Sequence, residues 1–359
     1  MIPAMAAPAP SPVARWIRCR FALAAALPVA VALGLWHSPW VAWAVLFGIQ
    51  AGLALLERVP VLMHSPPAAP STAWHRFSLW LHGPLQFGLQ AWALVWLVAT
   101  PAGQGASWLA VLAVGLAVGG ISGSQGITFA HELGHSRRRA DRGLAWALMA
   151  SVNYAHFMVE HYRGHHPRAA TLADPASARR GESLWRFLPR TLVGSFASAW
   201  TLEARHNAQF KRSWLASPLV WATALQVGWL AALLALWGPK AAFFWLVQSA
   251  YAVFLLEAIN YIEHYGLVRE TGPGGRPVPF AVQHAWNADP VLTNSVIVNL
   301  QRHSDHHMHA WKPFAELEPL AGPQLPTGYA GCLFIASVPR WWFALMEPRL
   351  AALQRTNSS

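Results

Sequence analysis

Apolar runs long enough to cross a lipid bilayer alternate along this chain with polar stretches dense in histidine. A transmembrane helix needs about 20 consecutive, mostly apolar residues. Between Arg76 and Glu132 there is no Lys, Arg, Asp or Glu, and between Arg212 and Glu257 only Lys240 interrupts, so each interval accommodates two spans. The pattern predicts helices over 21–37, 41–56, 84–101, 107–130, 217–237 and 241–258. They pair as three hairpins with tips at His37-Ser38-Pro39, at Pro101 to Ser107 and at Gly238-Pro239-Lys240. The expected fold is all-α: a polytopic membrane protein of six transmembrane helices with a histidine-rich cap on one side. Its segments read 1–20, an N-terminal segment; 21–130, helices 1–4; 131–216, a histidine-cluster region; 217–258, helices 5–6; and 259–359, a second histidine-cluster region.

Composition agrees with lipid. Hydrophobic residues make up 55% of the 359 and charged residues 11%, where a soluble domain carries about a quarter. Of the 26 Lys and Arg, all but Lys240 lie opposite the hairpin tips, as do all 15 Asp and Glu. By the positive-inside rule that side is cytoplasmic, with both termini and the histidine clusters on it and the protein in the cell inner membrane. The net charge of +11 is scattered over loops beside the spans, which fits anionic headgroups rather than nucleic acid. Arg15, Arg18 and Arg20 before FALAAALPVAVALG imitate a secretory signal, but no small-x-small site follows and a second apolar run begins at once, so this run is expected to be the first span. Cys19 and Cys332 are too few for a disulfide framework or a thiolate site. The first 14 residues and the tail from Arg355 are expected to lack fixed structure.

Nine histidines form four clusters: HELGH (His131, His135), EHYRGHH (His161, His165, His166), NYIEHYG (His264) and LQRHSDHH (His303, His306, His307). Neutral imidazole is a common ligand for iron, zinc, copper and nickel, and nine exceed what one four- or six-coordinate ion uses. Two metal ions are the economical reading. Neighbouring side chains on a helix diverge by about 100°, so His165 with His166 and His306 with His307 suit two metals, or two sites on one metal, better than a single flat face. Glu132, Glu160, Glu263 and Asp305 accompany the clusters, and a metal-bound imidazole usually donates its other N–H to a carboxylate or carbonyl. That supporting role is expected of the four, with direct coordination left open. His37, His64, His75, His82, His156, His206 and His284 stand alone and are read as structural, while His309 remains ambiguous.

Together and in this order, the clusters resemble the integral-membrane non-haem di-iron alkane 1-monooxygenases, within the wider membrane fatty-acid desaturase and hydroxylase superfamily. NYIEHYGL (Asn260 to Leu267) and LQRHSDHH (Leu300 to His307) resemble the alkane branch, as do ADPASARRGES (Ala173 to Ser183), HAWNADPVLTN (His284 to Asn294) and LPTGYAG (Leu325 to Gly331). The resemblance covers roughly residues 110 to 350. It implies a cytoplasmic di-iron cap whose two Fe ions are held by His131, His135, His161, His165, His166, His264, His303, His306 and His307. It also implies hydroxylation of the terminal carbon of an alkane by O2, with no catalytic side chain beyond the metal centre. The chain has no flavin fingerprint and no cysteine cluster, so electrons come from outside. The resemblance names rubredoxin, reduced by an NADH-dependent reductase. Rubredoxins are acidic, which gives Arg137, Arg138 and Arg139 a possible docking role, with lipid headgroups as the other use.

Other readings are weaker. A lone HExxH suggests a zinc protease, but seven histidines would then have no task. A metal transporter needs ionisable groups near the bilayer midplane, which the spans lack. A xylene- or cymene-type methyl hydroxylase and a fatty-acid desaturase or hydroxylase share the motifs and stay open.

Overall fold

A computed structural model describes residues 19–358. Within it five helices are long and apolar enough to cross a membrane: Arg20–His37, Pro39–Leu56, Trp108–Gly134, Pro218–Trp237 and Pro239–His264. We number the principal helices α1 (Leu23–His37), α2 (Pro39–Leu56), α3 (Ala73–Ala99), α4 (Trp108–Gly134), α5 (Arg139–Ala150), α6 (Phe157–Glu160), α7 (Leu184–Gln209), α8 (Pro218–Trp237), α9 (Pro239–His264), α10 (His303–Met308), α11 (Tyr329–Ala336) and α12 (Pro339–Ser358). Among the described residues there is no strand, only two isolated bridges. The span expected over 84–101 falls in the second half of α3, which stops at Ala99, two residues short of the expected end. That helix has the length, at 27 residues, but it turns His75, Ser78, His82, Gln86 and Gln90 into the bundle.

Two parallel helices form the spine. A Cβ on Gly115 would lie 2.6 Å from Val247 Cγ1, on Gly119 2.5 Å from Gln248 O, and on Gly123 2.7 Å from Ala252 Cα. Small residues spaced by four allow such close approach in lipid, where packing rather than hydrophobicity drives helix association. The contact sets α4 against α9 so that His131 and His264 finish at the same end. Both helices run past the expected ends of their spans, residues 130 and 258, and carry their histidines on the last turns. Lipid-facing residues surround the bundle: Leu33, Trp221, Leu234 and Leu236 are each more than half exposed. The chain is a membrane protein.

The region between α4 and α8 is not wholly a cap. The loop after α5 packs against the middle of α9, where Gln248 Nε2 donates to Ser151 O at 2.8 Å and Asn153 Nδ2 to Ser249 Oγ at 2.9 Å. Gln248 is about 24 Å from His264 along the helix at 1.5 Å per residue. Irregular backbone at that depth is tolerated because protein groups satisfy it. The loop ahead of α3 is fixed from the far end of the chain: Ser65 N donates to Asp289 Oδ2, Ala69 N to Ala315 O and Ser71 N to Glu316 Oε1.

Residues 1 to 14, Arg15 and Arg18 lie outside the described residues. Arg20 is not at a lipid headgroup but buried, donating to Asn299 Oδ1 at 2.7 Å. The tail from Arg355 continues α12 rather than lacking structure, because the helix propagates through it to Ser358.

Candidate metal centre

HELGH closes α4. Its glycine is required by packing, since a Cβ on Gly134 would lie 1.8 Å from Tyr162 Oη; that hydroxyl donates to His131 O at 2.9 Å and ties the first cluster to the second. The second cluster follows α6 as a π-helical turn, His161–His165. In an α-helix residues five apart point about 140° away from each other, but the wider π turn brings them onto one face. His161 and His166 accordingly meet, Nε2 to Nε2, at 3.0 Å. LQRHSDHH is anchored by the residue before its first histidine. Arg302 is 1% exposed and donates to Leu317 O at 2.6 Å, Pro66 O at 2.7 Å and Asp289 Oδ1 at 3.2 Å. The turn ahead of it uses left-handed backbone at Val298 and Asn299, with φ 47° and 57°, which is uncommon for non-glycine residues.

All nine clustered histidines converge, in two groups. One ring nitrogen from each of His131, His135, His161, His166 and His306 lies within 4.8 Å of the others, and His165, His264, His303 and His307 form a second such group. The groups abut, with the His166 and His307 ring centroids 4.5 Å apart. Adjacent residues separate between them: His165 from His166 and His306 from His307. His309 joins neither group, its Nδ1 lying 2.7 Å from Asp305 Oδ1.

The chemistry of these rings fits metal ions. Burial, joined by neighbouring imidazoles, holds His135, His161, His166, His303, His306 and His307 well below the usual histidine range, so they are neutral at pH 7. His135 Nε2, His165 Nε2, His306 Nε2 and both nitrogens of His307 are buried without a hydrogen-bond partner. Each such orphan costs about 1–3 kcal/mol, which a cation bonded to the lone pairs offsets.

Behind the rings, three of the four carboxylates differ from expectation. Glu263 stands 3.2 Å from His303 Nδ1 and accepts from Tyr329 Oη at 2.8 Å. Glu132 instead accepts from Phe314 N at 3.0 Å, Glu160 pairs with Arg168 at 2.7 Å, and Asp305 accepts from Lys312 Nζ and Glu318 N, each at 2.8 Å. Adjacency in sequence points these three away from the imidazoles, because a helix turns each residue by about 100° from the next. A residue that sequence reasoning passed over takes the part: Asp174 Oδ2 is 2.8 Å from His165 Nδ1. Burial lowers the His165 proton affinity, but the Asp174 carboxylate outweighs it and the net shift is upward. The signal lay in the ADPAS stretch, where the carboxylate sits among small residues. Phe280, also unforeseen, stacks on His307 with centroids 4.7 Å apart.

Two cavities lie beside the centre. On the bundle side a cavity of about 170 Å³ is walled by Leu46, Ile121, Leu255, Val296 and Leu333, and two more of its lining residues, Thr128 and Leu300, also line a small pocket bounded by His131 and His306. On the other side a cleft of about 410 Å³ is lined by His135, Arg137, Arg138, Trp311 and Lys312. Arg137, Arg138 and Arg139 are exposed.

Residues 106–336 match the fatty acid desaturase family. The alkane 1-monooxygenase of Ectopseudomonas oleovorans is 33% identical over 342 residues, covering 90% of this chain and 83% of that protein. Alkane 1-monooxygenase 1 of Pseudomonas aeruginosa is 40% identical over 273 residues, 75% of this chain and 70% of its own. The hydroxylase component of the xylene/toluene monooxygenase of Pseudomonas putida is 28% identical over 239 residues, 66% of this chain and 63% of its own. With its histidines gathered at one end of a helical bundle and this similarity running along most of its length, the chain belongs to the fatty acid desaturase family, among the alkane 1-monooxygenases.

Proposed function

We propose that this protein is a membrane-bound monooxygenase that hydroxylates the terminal carbon of alkanes with O2 at a two-iron centre. The observation that carries the reading is the apolar cavity inside the bundle, which shares Thr128 and Leu300 with the small pocket at the imidazoles of His131 and His306. The five-histidine group would hold one iron and the four-histidine group the other. Bound there, the irons supply the redox chemistry that sets O2 against an unactivated C–H bond.

The chain's own residues bind, orient and exclude water. An alkane partitions into the bilayer and is received by apolar walls, with its methyl end directed to Thr128 and Leu300. The Thr128 hydroxyl is returned to Ser124 O at 2.9 Å, so it does not compete with the methyl group there. Asp174 holds the proton on His165 Nδ1 and thereby keeps Nε2 as the lone-pair face. Phe280 covers His307 from the cap side. Gas chromatography of products from octane, a longer alkane, xylene and an acyl lipid tests the assignment: the 1-alkanol is expected as the main product, and exclusive turnover of xylene or of the acyl chain would overturn it.

The membrane is the cell inner membrane, with the cap and both termini cytoplasmic, because the tips carry Lys240 as their one basic residue. Reporter fusions after Gln104 and Gly238 are expected to read as periplasmic, and fusions near Pro66 and Arg180 as cytoplasmic. A cytoplasmic signal at Gln104 would remove the six-span topology.

Electrons come from rubredoxin, reduced by an NADH-dependent reductase and docking at the cleft beside His135. Exposed Arg137, Arg138 and Arg139 favour an acidic partner, with attraction screened over about 8 Å at physiological salt. Reversing Arg138 and Arg139 to Glu is expected to raise the KM for rubredoxin and flatten its salt dependence, with a small artificial reductant little affected. Identical salt dependence in variant and parent would remove this docking site.

A further inference from the structure

The two imidazole groups differ in what stands behind them. In the four-histidine group two rings are backed by carboxylates: His165 Nδ1 lies 2.8 Å from Asp174 Oδ2, and His303 Nδ1 lies 3.2 Å from Glu263 Oε1. Both carboxylates are buried and are themselves held, Asp174 by Ser177 Oγ at 2.6 Å and Glu263 by Tyr329 Oη at 2.8 Å. Among the described residues no ring of His131, His135, His161, His166 or His306 has a carboxylate oxygen within 4.0 Å of a ring nitrogen.

Access differs in the same sense. His135 lines the cleft of about 410 Å³, and His131 and His306 line the small pocket. All four rings of the other group are buried, and Phe280 stacks on His307. The number of rings, five against four, is the opposing consideration. A carboxylate that accepts the Nδ1 proton strengthens the ring as a donor through Nε2 and stops it from turning, an effect of about 10–100-fold in affinity for each such partner. A fifth imidazole only replaces a water on an ion that four nitrogens already hold, so two carboxylates outweigh it.

Resting on the two-iron reading above, we infer that the two metal sites are unequal: the four-histidine group holds a tightly bound ion that enters first and leaves last, and the five-histidine group holds an exchangeable ion that passes through the cleft beside His135. Tyr329 is then a positioning residue, acting on His303 only through Glu263. The inequality also sets an order of assembly. The first ion joins α9, which carries His264, to α10, which carries His303 and His307, and to the turn after α6, which carries His165, before the second ion arrives. Metal binding of this kind is coupled to folding.

Challenge of the full-length holoprotein with the ferrous chelator ferrozine tests this without turnover. Two phases of iron loss are expected, one ion per chain in each, with rates separated by about tenfold or more. Asp174→Asn is expected to speed the slow phase about 10–100-fold, and Tyr329→Phe to speed it by less, while the fast phase keeps its rate in both. Refilling the fast site with an iron isotope visible to Mössbauer spectroscopy is expected to give a single quadrupole doublet, which Tyr329→Phe does not move. With His264 and His303 both replaced by Ala, the remaining ion should leave at the fast rate; with His131 and His306 both replaced, at the slow rate. The reverse order, a slow phase indifferent to both Asp174→Asn and Tyr329→Phe, or loss of both ions from the parent in one phase would overturn the inference. Those outcomes sink the inequality alone, whereas fewer than two irons per chain in the parent sinks the two-iron reading with it.

Discussion

Paired histidine-to-alanine substitutions made within one imidazole group are expected to remove one metal ion and leave the other. His264→Ala with His303→Ala strips two of four rings from one group, and His131→Ala with His306→Ala strips two of five from the other. Each pair should lower iron from about two ions per chain to about one and abolish turnover, since the chemistry needs both ions. The fold should persist, because α4 and α9 are held by glycine-mediated packing far from the metal. Metal analysis with circular dichroism on the purified variants checks this. Loss of both ions from either pair would mean that the nine rings form a single site, and one zinc per chain in the parent would overturn the di-iron assignment.

Asp174→Asn is expected to have the second largest effect, a loss of about 10–100-fold in metal affinity or activity. The carboxylate is 1% exposed and also accepts from Ser177 Oγ at 2.6 Å, so its orientation is fixed. Asparagine can turn an N–H₂ toward His165 Nδ1 and hold the ring in the wrong tautomer, with the proton on the lone-pair face. Glu132→Gln and Asp305→Asn should cost only a few-fold in activity, because their partners are Phe314 N in one case and His309, Lys312 and Glu318 N in the other, none of them a clustered histidine. Titration of apo protein with ferrous iron, alongside turnover, separates these outcomes. Complete loss of iron in Asp305→Asn would show direct coordination instead, and an Asp174→Asn variant equal to the parent would remove its role.

What could be read directly follows from short-range physics. Apolar length is a property of consecutive residues, so five of the six expected spans reappear as helices apolar enough to cross a membrane. The other, α3, meets the length but not the apolarity, because the cost of His82, Gln86 and Gln90 depends on whether they face lipid or the bundle, which no local window records. The nine histidines were legible because their types and spacings are chemically unusual. Their division among adjacent positions followed in outline from the 100° turn of a helix.

Which histidine joins which group was decided by tertiary structure. The π turn at His161–His165 changes the angle between His161 and His166, and nothing in EHYRGH announces that turn. Choosing Asp174 over Glu132, Glu160 and Asp305 required folding, since a carboxylate nine residues beyond His165 reaches its ring while carboxylates one residue from a cluster histidine turn away. The cavity has walls from helices distant in sequence, and Gln50 meets Tyr251 across 201 positions. Sequence by itself determined a histidine-rich membrane protein, because burial in lipid and metal affinity reside in residue types. Only the packed structure decided the two imidazole groups, the carboxylates beside them and the cavity in the bundle, because directions in space arise from packing between distant segments.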